Sequence, residues 1–167
     1  HTSGTIMLDV IYDHTVCWQM SPHERASILY LIDSIPQRKV AVEIGSYCGG
    51  FLRQLVKHFD KVYSIDLTHQ HLRMADYSNV EFHTGDSTKI LPTLVPTLTD
   101  VSFFLIDANH EYPFVKRDLA AVLSYVPTTL TYVLLHDSWY LPSRRAILDT
   151  PLPNHVHFMD LDYAYGE

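Results

Sequence analysis

Val40-Ala41-Val42-Glu43-Ile44-Gly45-Ser46-Tyr47-Cys48-Gly49-Gly50 is the stretch on which the fold turns. Its first half is a short apolar run of β type that stops at a glycine. After Gly49-Gly50, the residues Leu52, Leu55, Val56 and Phe59 recur at helical spacing and mark one face of a helix. A strand, a glycine-rich turn and a helix therefore follow one another. Gly45 lets the backbone turn sharply where a Cβ would clash. Such a loop presents backbone N–H groups and a helix N-terminus to a ligand, an environment that favours a carboxylate or a phosphate.

The same alternation extends in both directions. Upstream, Ser21-Pro22-His23-Glu24 has the pattern of a capping box with Pro in the first turn, and Ile28, Leu31, Ile32 and Ile35 follow before Pro36 ends the helix. Downstream, Val62 to Asp66 reads as a second strand, residues 69–76 as a short helix, and Asn79 to His83 as a third strand running into Gly85-Asp86-Ser87. Val101 to Ile106 is the pattern of a strand buried on both faces and ends at Asp107. Val115, Leu119, Val122 and Val126 mark a further helix, Leu130 to Leu135 a fifth buried strand ending at His136-Asp137, and residues 155–161 a weaker sixth strand. This order predicts an α/β fold: a doubly wound, Rossmann-like, mostly parallel sheet with helices on both faces. Residues 1–20 stay unassigned as an N-terminal segment, with His1-Thr2-Ser3-Gly4 read as a tag remnant, and residues 21–167 are expected to form a single domain. In such sheets ligands bind outside the carboxyl ends of the strands, where the glycine-rich and acidic positions named above fall.

Composition narrows the functional classes. The net charge is −7 at pH 7 and the basic residues are scattered, which argues against a nucleic-acid partner held through its phosphates. With two cysteines, Cys17 and Cys48, no dense disulfide framework exists, so a reducing, cytoplasmic setting is expected. No apolar run approaches the ~20 residues needed to span a bilayer, so no membrane partner is expected.

The loop separates two cofactor classes. Dinucleotide enzymes use G-x-G-x-x-G, but Tyr47 stands at the middle glycine and would obstruct a pyrophosphate. A Walker-type phosphate loop is absent, since no Gly-Lys-Ser/Thr follows. Asp66, at the next strand end, suits a ribose whose hydroxyls donate charge-assisted hydrogen bonds, each worth on the order of 1.5–3 kcal/mol. A glycine-rich turn without a ligand remains an alternative on these residues alone.

Glu43 to Gly50, Asp66, Gly85-Asp86-Ser87 and Asp107-Ala108-Asn109-His110, taken in order, resemble class I S-adenosylmethionine-dependent methyltransferases. More narrowly, they resemble the branch of macrocin-type sugar O-methyltransferases and cephalosporin-hydroxylase-like proteins. The resemblance spans roughly residues 38–140. It implies that Glu43, Gly45, Ser46, Tyr47 and Gly49 hold the methionine end of S-adenosylmethionine. It further implies that Asp66 binds the ribose and that Gly85, Asp86 and Ser87 lie against the adenine, with Asp107 also near the cofactor. It implies an antiparallel final strand pair as well, and the chain departs from that by stopping at Glu167, so the last strand is expected to be missing, disordered or supplied elsewhere.

Methylating an alcohol requires removal of its proton. For a hydroxyl with a pKa near 16, ionisation at pH 7 costs roughly 12 kcal/mol. A positioned base contributes about 10²–10⁴-fold, and a divalent cation stabilises the oxyanion. The resemblance maps a general base onto His110, with His136 as the second candidate, and a metal site onto Asp107 and the pair after the fifth strand. That pair is acidic in the relatives and is His136-Asp137 here. An imidazole ligand weakens the case for Mg²⁺ and favours Mn²⁺ or another softer ion. Metal held by Asp107, His136 and Asp137 is one expectation; a metal-free hydrogen-bonded pair is the other. His110 is expected to be neutral at pH 7, as an ordinary imidazole is. His69, His71, His155 and His157 read as surface histidines, and Trp139 and Tyr140 as either packing or the wall of an acceptor pocket. The functional expectation is O-methylation of a small-molecule acceptor. The rivals are a degenerate cofactor-binding domain and a nicotinamide-dependent oxidoreductase. The acceptor and the oligomeric state are undefined by these residues.

Overall fold

The computed structural model describes Thr15, Cys17 and residues 19–160. The tag remnant expected at residues 1–4 and the last position of the sixth strand, Leu161, lie outside the described residues. The elements are α1 (Pro22–Asp33), β1 (Val40–Ile44), α2 (Leu52–His58), β2 (Lys61–Asp66), β3 (Val80–Thr84), α3 (Ser87–Leu94), β4 (Val101–Ile106), α4 (Tyr112–Leu123), β5 (Tyr132–Leu135) and α5 (Leu141–Leu148). All strand pairs are parallel and the sheet order is β3-β2-β1-β4-β5.

The alternation of side chains along each strand divides the interior into two layers. Val42, Ile44, Phe104 and Ile106 face one side, where Leu91 and Leu94 of α3, Leu119 and Val122 of α4 and Ile147 of α5 cover them. Ala41, Val62, Phe103 and Leu105 face the other, beneath Ile28 and Ile32 of α1 and Leu52 and Leu55 of α2. β4 is buried at every position, as its unbroken apolar run demands. At the start of α1, the Ser21 Oγ accepts from the Glu24 N–H at 3.3 Å, and Glu24 Oε2 accepts from the Ser21 N–H at 2.7 Å. This closed capping box fixes where the helix begins, a device worth about 1 kcal/mol.

Four expectations need correction. Residues 69–76 form no α-helix; they hold a 3₁₀ turn at Met74–Asp76, because His69 turns inward to bond Ser64 and Thr84. Residues 155–160 pair with no strand and are largely exposed, with Asp160 drawn to Arg144. β5 is consequently the edge of the sheet among the described residues, and half-buried rather than buried on both faces. Val126 lies beyond the end of α4 and is 79% exposed, so the apolar stripe of that helix stops at Val122.

No helix among the described residues is long and apolar enough to cross a membrane. Cys17 and Cys48 are free thiols.

Candidate active site

β1 and β4 are neighbours, yet the chain leaves them in opposite directions. β1 runs on to β2 at one side and β4 to β5 at the other. The loops after them part, and a crevice opens at this switch point. The residues just beyond the strand ends extend the parallel ladder. Gly45 N–H donates to Ile65 O at 2.8 Å, Gly85 N–H to Asp66 O at 2.8 Å, Asp107 N–H to Ile44 O at 2.8 Å and His136 N–H to Ile106 O at 3.0 Å. This row brings the glycines, Asp66, Asp107 and His136 to one rim. Gly45 has φ +91°, and a Cβ there would fall on the carbonyl oxygen of Asp107, so no other residue fits.

A cleft of about 710 Å³ lies over that rim, lined among others by Gly45, Tyr47, Asp66, Gly85, Asp86, Ser87 and Asp107. That is the size of a small-molecule site. Asp66 Oδ2 accepts the N–H groups of both Ser46 and Tyr47 at 2.8 Å and so clamps the glycine loop to β2. Asp86 caps α3 through the Thr88 N–H at 2.9 Å. Ser87 Oγ donates to Asp118 Oδ2 at 2.9 Å.

Glu43, Ser46 and Gly49 are buried and do not line the cleft. Glu43 is 1% exposed, and Ser46 Oγ donates to its Oε2 at 2.7 Å. From Ser46 the hydrogen bonds continue through Ser64 Oγ at 2.6 Å and His69 Nε2 at 3.1 Å, and from His69 Nδ1 to Thr84 Oγ1 at 2.7 Å. Burial pushes the Glu43 carboxyl up to about 8, aided by the charges of Asp107 and Asp66 and opposed by the Ser46 bond. Gly49 is kept small by Leu72 and Tyr77, whose side chains a Cβ would strike. His69 is 6% exposed, which corrects its reading as a surface histidine, and burial lowers its pKa. His155 and His157 are exposed.

At the other end of the cleft, Asp107, His110, His136 and Asp137 each offer a ligand atom within 4.8 Å of the others. His136 Nδ1 lies 3.0 Å from Asp107 Oδ1 and 3.3 Å from Asp137 Oδ2. His110 Nε2 lies 3.2 Å from Asp137 Oδ2 and 3.5 Å from Asp107 Oδ1. Asp137 reaches this position from the left-handed region, at φ +52°; such strain costs on the order of 1–3 kcal/mol and gathers at functional sites. The Ser143 hydroxyl fixes the His110 backbone by donating to its carbonyl at 3.1 Å.

The two carboxylates dominate the electrostatics. Asp107 first and Asp137 second hold the His110 imidazole protonated, its pKa pushed up to about 9. This corrects the expectation of a neutral His110 at pH 7: two carboxylates face its Nε2, and burial does not offset them. For His136, burial opposes the charge, but Asp107 and Asp137 outweigh it and raise the pKa to about 10. Asp137 is held well below the usual carboxylate range by His110 and His136. Without a metal, two imidazolium protons thus balance two carboxylates. Exchanging those protons for one divalent cation keeps the charge unchanged, and Asp107, Asp137 and His136 would offer it two oxygens and one nitrogen, a fit for Mn²⁺ or Zn²⁺ better than for Mg²⁺.

A second cavity of about 480 Å³ adjoins the first, lined by Asn109, His110, Glu111, Asp137, Trp139 and Tyr140. The two share Asn109, His110 and Asp137. Two acidic residues that touch residues of the site, Glu24 at His136 and Asp118 at Ser87, were not singled out from sequence as part of it. Glu24 reads there as a capping residue, yet its Oε1 also lies 3.0 Å from His136 Nε2. Asp118 is fully buried on α4, its pKa raised by burial to about 6. Its sequence signal is a carboxylate on the apolar stripe of Val115, Leu119 and Val122.

A family model described as a methyltransferase domain matches residues 42–138. No curated protein matches the chain. Among solved structures, the chain resembles the precorrin-8w decarboxylase of Methanobacterium thermoautotrophicum at 16% identity and a TM-score of 0.60, covering 82% of this chain and 75% of that one. It resembles the MycE methyltransferase of mycinamycin biosynthesis, solved with Mg, S-adenosylhomocysteine and mycinamycin VI, at 17% identity and a TM-score of 0.61, covering 82% of this chain. The chain spans 40% of the length of that enzyme. A third likeness is to the TDP-rhamnose 3'-O-methyltransferase CalS11 of calicheamicin biosynthesis, at 11% identity and a TM-score of 0.58, covering 86% of this chain and 81% of that one. At these identities each likeness shows the fold.

Proposed function

Because this chain belongs to the methyltransferase-domain family, we propose that it moves the methyl group of S-adenosylmethionine to a hydroxyl oxygen of a small molecule such as a sugar or natural product. The observation that carries the reading is the cluster of Asp107, His110, His136 and Asp137 at the seam between two cavities. The larger cavity has the loop and carboxylate suited to the cofactor. The smaller, with Trp139 and Tyr140 on its wall, suits an acceptor with apolar faces and polar edges.

Asp66 takes the ribose hydroxyls on the carboxylate that also clamps the loop, Asp86 and Ser87 flank the adenine, and Glu43 acts through Ser46 by holding the loop from below. The cofactor supplies a methyl group on a positively charged sulfur, which leaves as a neutral thioether. His110 takes the hydroxyl proton at Nε2. The acceptor oxygen forms its bond to the methyl carbon as the carbon–sulfur bond breaks, and the electron pair stays on sulfur. Asp107, His136 and Asp137 would hold a divalent cation, which would supply Lewis acidity toward the acceptor oxygen. With those carboxylates engaged by a cation, His110 would leave the field that keeps it protonated and could accept the proton.

The test is calorimetry with S-adenosylhomocysteine and NAD, followed by S-adenosylhomocysteine release assays with hydroxylated acceptors and Mn²⁺. Micromolar binding of S-adenosylhomocysteine, about −8 kcal/mol, no binding of NAD, and an O-methylated product are expected. Tight NAD binding, or methylation confined to nitrogen or carbon, overturns the proposal.

A further inference from the structure

Glu24 stands in two places at once. Its Oε2 accepts the Ser21 N–H at 2.7 Å and closes the cap of α1, while its Oε1 lies 3.0 Å from Nε2 of His136. The opposite nitrogen of that ring, Nδ1, points at the carboxylates of Asp107 and Asp137. The His136 side chain is 7% exposed, and its Nε2 is buried without a well-aligned hydrogen bond. The Glu24 contact is therefore an ion pair off the N–H axis, at a nitrogen that burial has cut off from water.

From this juxtaposition we propose that Glu24 is a positioning residue for a metal site: it holds the Nε2 edge of His136 so that Nδ1 faces the cation shared with Asp107 and Asp137. The proposal rests on the reading of that cluster as a divalent-cation site. The chemistry follows from the two nitrogens of imidazole. One ligates, and the other must donate its N–H; a carboxylate behind it fixes the ring orientation and raises the basicity of the ligating nitrogen. The cap adds a mechanical element. α1 packs on the sheet through Ile28 and Ile32, so the docked helix carries the carboxylate to the strand ends and the Ser21 N–H holds it there. Glu24 touches neither cofactor nor acceptor in this arrangement, and its action passes through His136.

The test compares wild type, Glu24→Ala, Glu24→Gln and Ser21→Ala. Mn²⁺ affinity is measured by electron paramagnetic resonance. Electron spin echo modulation from ligand ¹⁴N reports imidazole at the ion, and circular dichroism reports the fold. Glu24→Ala should weaken Mn²⁺ binding 10–100-fold and diminish the ¹⁴N modulation. Glu24→Gln, whose amide oxygen accepts one hydrogen bond, should recover part of both. Ser21→Ala loses half of the cap but keeps the Glu24–His136 contact, so it should lower the melting temperature and leave Mn²⁺ affinity unchanged. If wild type binds Mn²⁺ and both Glu24 variants bind it equally well with the same modulation, Glu24 is a capping residue and the proposal is overturned. If Glu24→Ala does not fold, Glu24→Gln decides on the same two readouts. Wild type that takes up no Mn²⁺ overturns the metal reading itself, which distinguishes that failure from the failure of Glu24 alone.

Discussion

Replacing Glu43 by Gln should make the protein more resistant to alkaline pH. Glu43 is 1% exposed, and its carboxyl is pushed from 4.5 in the unfolded chain to about 8 in the folded one. At pH 7 the folded protein holds this proton in about 90% of molecules, while the unfolded chain has lost it. The stability this group contributes is therefore complete below about 4.5 and is lost as the pH rises from there through 8. Integrated from pH 6 to pH 9, one such proton amounts to about 3 kcal/mol. Gln resembles the protonated acid in shape and can accept the Ser46 hydroxyl, yet it has no proton to lose. The difference in unfolding free energy between variant and wild type should thus move in favour of the variant by about 3 kcal/mol across that range, or roughly 6–12 °C in melting temperature for a chain of this size. His110 and His136 also titrate toward the alkaline end, but their contributions cancel in the difference. The assay is urea unfolding of both proteins at pH 6, 7, 8 and 9. A difference that stays constant across the series would show that Glu43 is charged in the folded state and would refute the reasoning from burial.

Asp66→Ala should weaken S-adenosylhomocysteine binding 10–100-fold by calorimetry, since about 1.5–3 kcal/mol of charge-assisted bonding disappears and the clamp on the Ser46 and Tyr47 N–H groups goes with it. Exhaustive chelation should abolish methyl transfer while cofactor affinity stays nearly intact, and Mn²⁺ should restore turnover at least as well as Mg²⁺ in the same assay. His110→Ala should lower kcat by about 10²–10⁴-fold with melting temperature and cofactor affinity little changed. In wild type the acidic limb of the pH–rate profile should move to lower pH as Mn²⁺ saturates, because the carboxylates that raise the His110 pKa to about 9 are then engaged by the cation.

The parallel sheet was legible because its central strands are read by period and burial alone: Val40 to Ile44 and Val101 to Ile106 admit no other placement. The failures lie where tertiary context overrides local pattern. Residues 69–76 carry enough helix-compatible residues to suggest a helix, but the Ser64 and Thr84 hydroxyls pull His69 inward and break the register. Residues 155–160 alternate like a strand and find no strand to pair with. The meeting of Asp107, His110, His136 and Asp137 was legible in outline, since the ends of adjacent strands must converge. The protonation of His110 was not, because it depends on two carboxylates meeting at one nitrogen. Glu24 was read as a cap, correctly, and its second contact lies across the sheet from any pattern in its own helix.

His136 can be understood as a displacement of charge rather than a loss of it. The pattern the sequence resembles places three carboxylates around a cation: one after the fourth strand and a pair after the fifth. Here Asp107 and Asp137 supply two, and the third, Glu24, stands behind the imidazole that took the remaining position. The cation would then meet nitrogen in place of one oxygen while the carboxylate total stays at three. Moving a charge from direct contact to a position one ring away weakens its Coulomb attraction in proportion to distance, and it removes a hard ligand that Mg²⁺ prefers. The first change weakens every divalent ion alike, while the second penalises Mg²⁺ more than Mn²⁺ or Zn²⁺, which accept imidazole readily. On the proposed metal reading, the site would pair a softer ion preference with a donor that Glu24 orients. Removing the Glu24 carboxylate should reach the metal before it reaches the cofactor loop, which hangs from Asp66 at the end of β2.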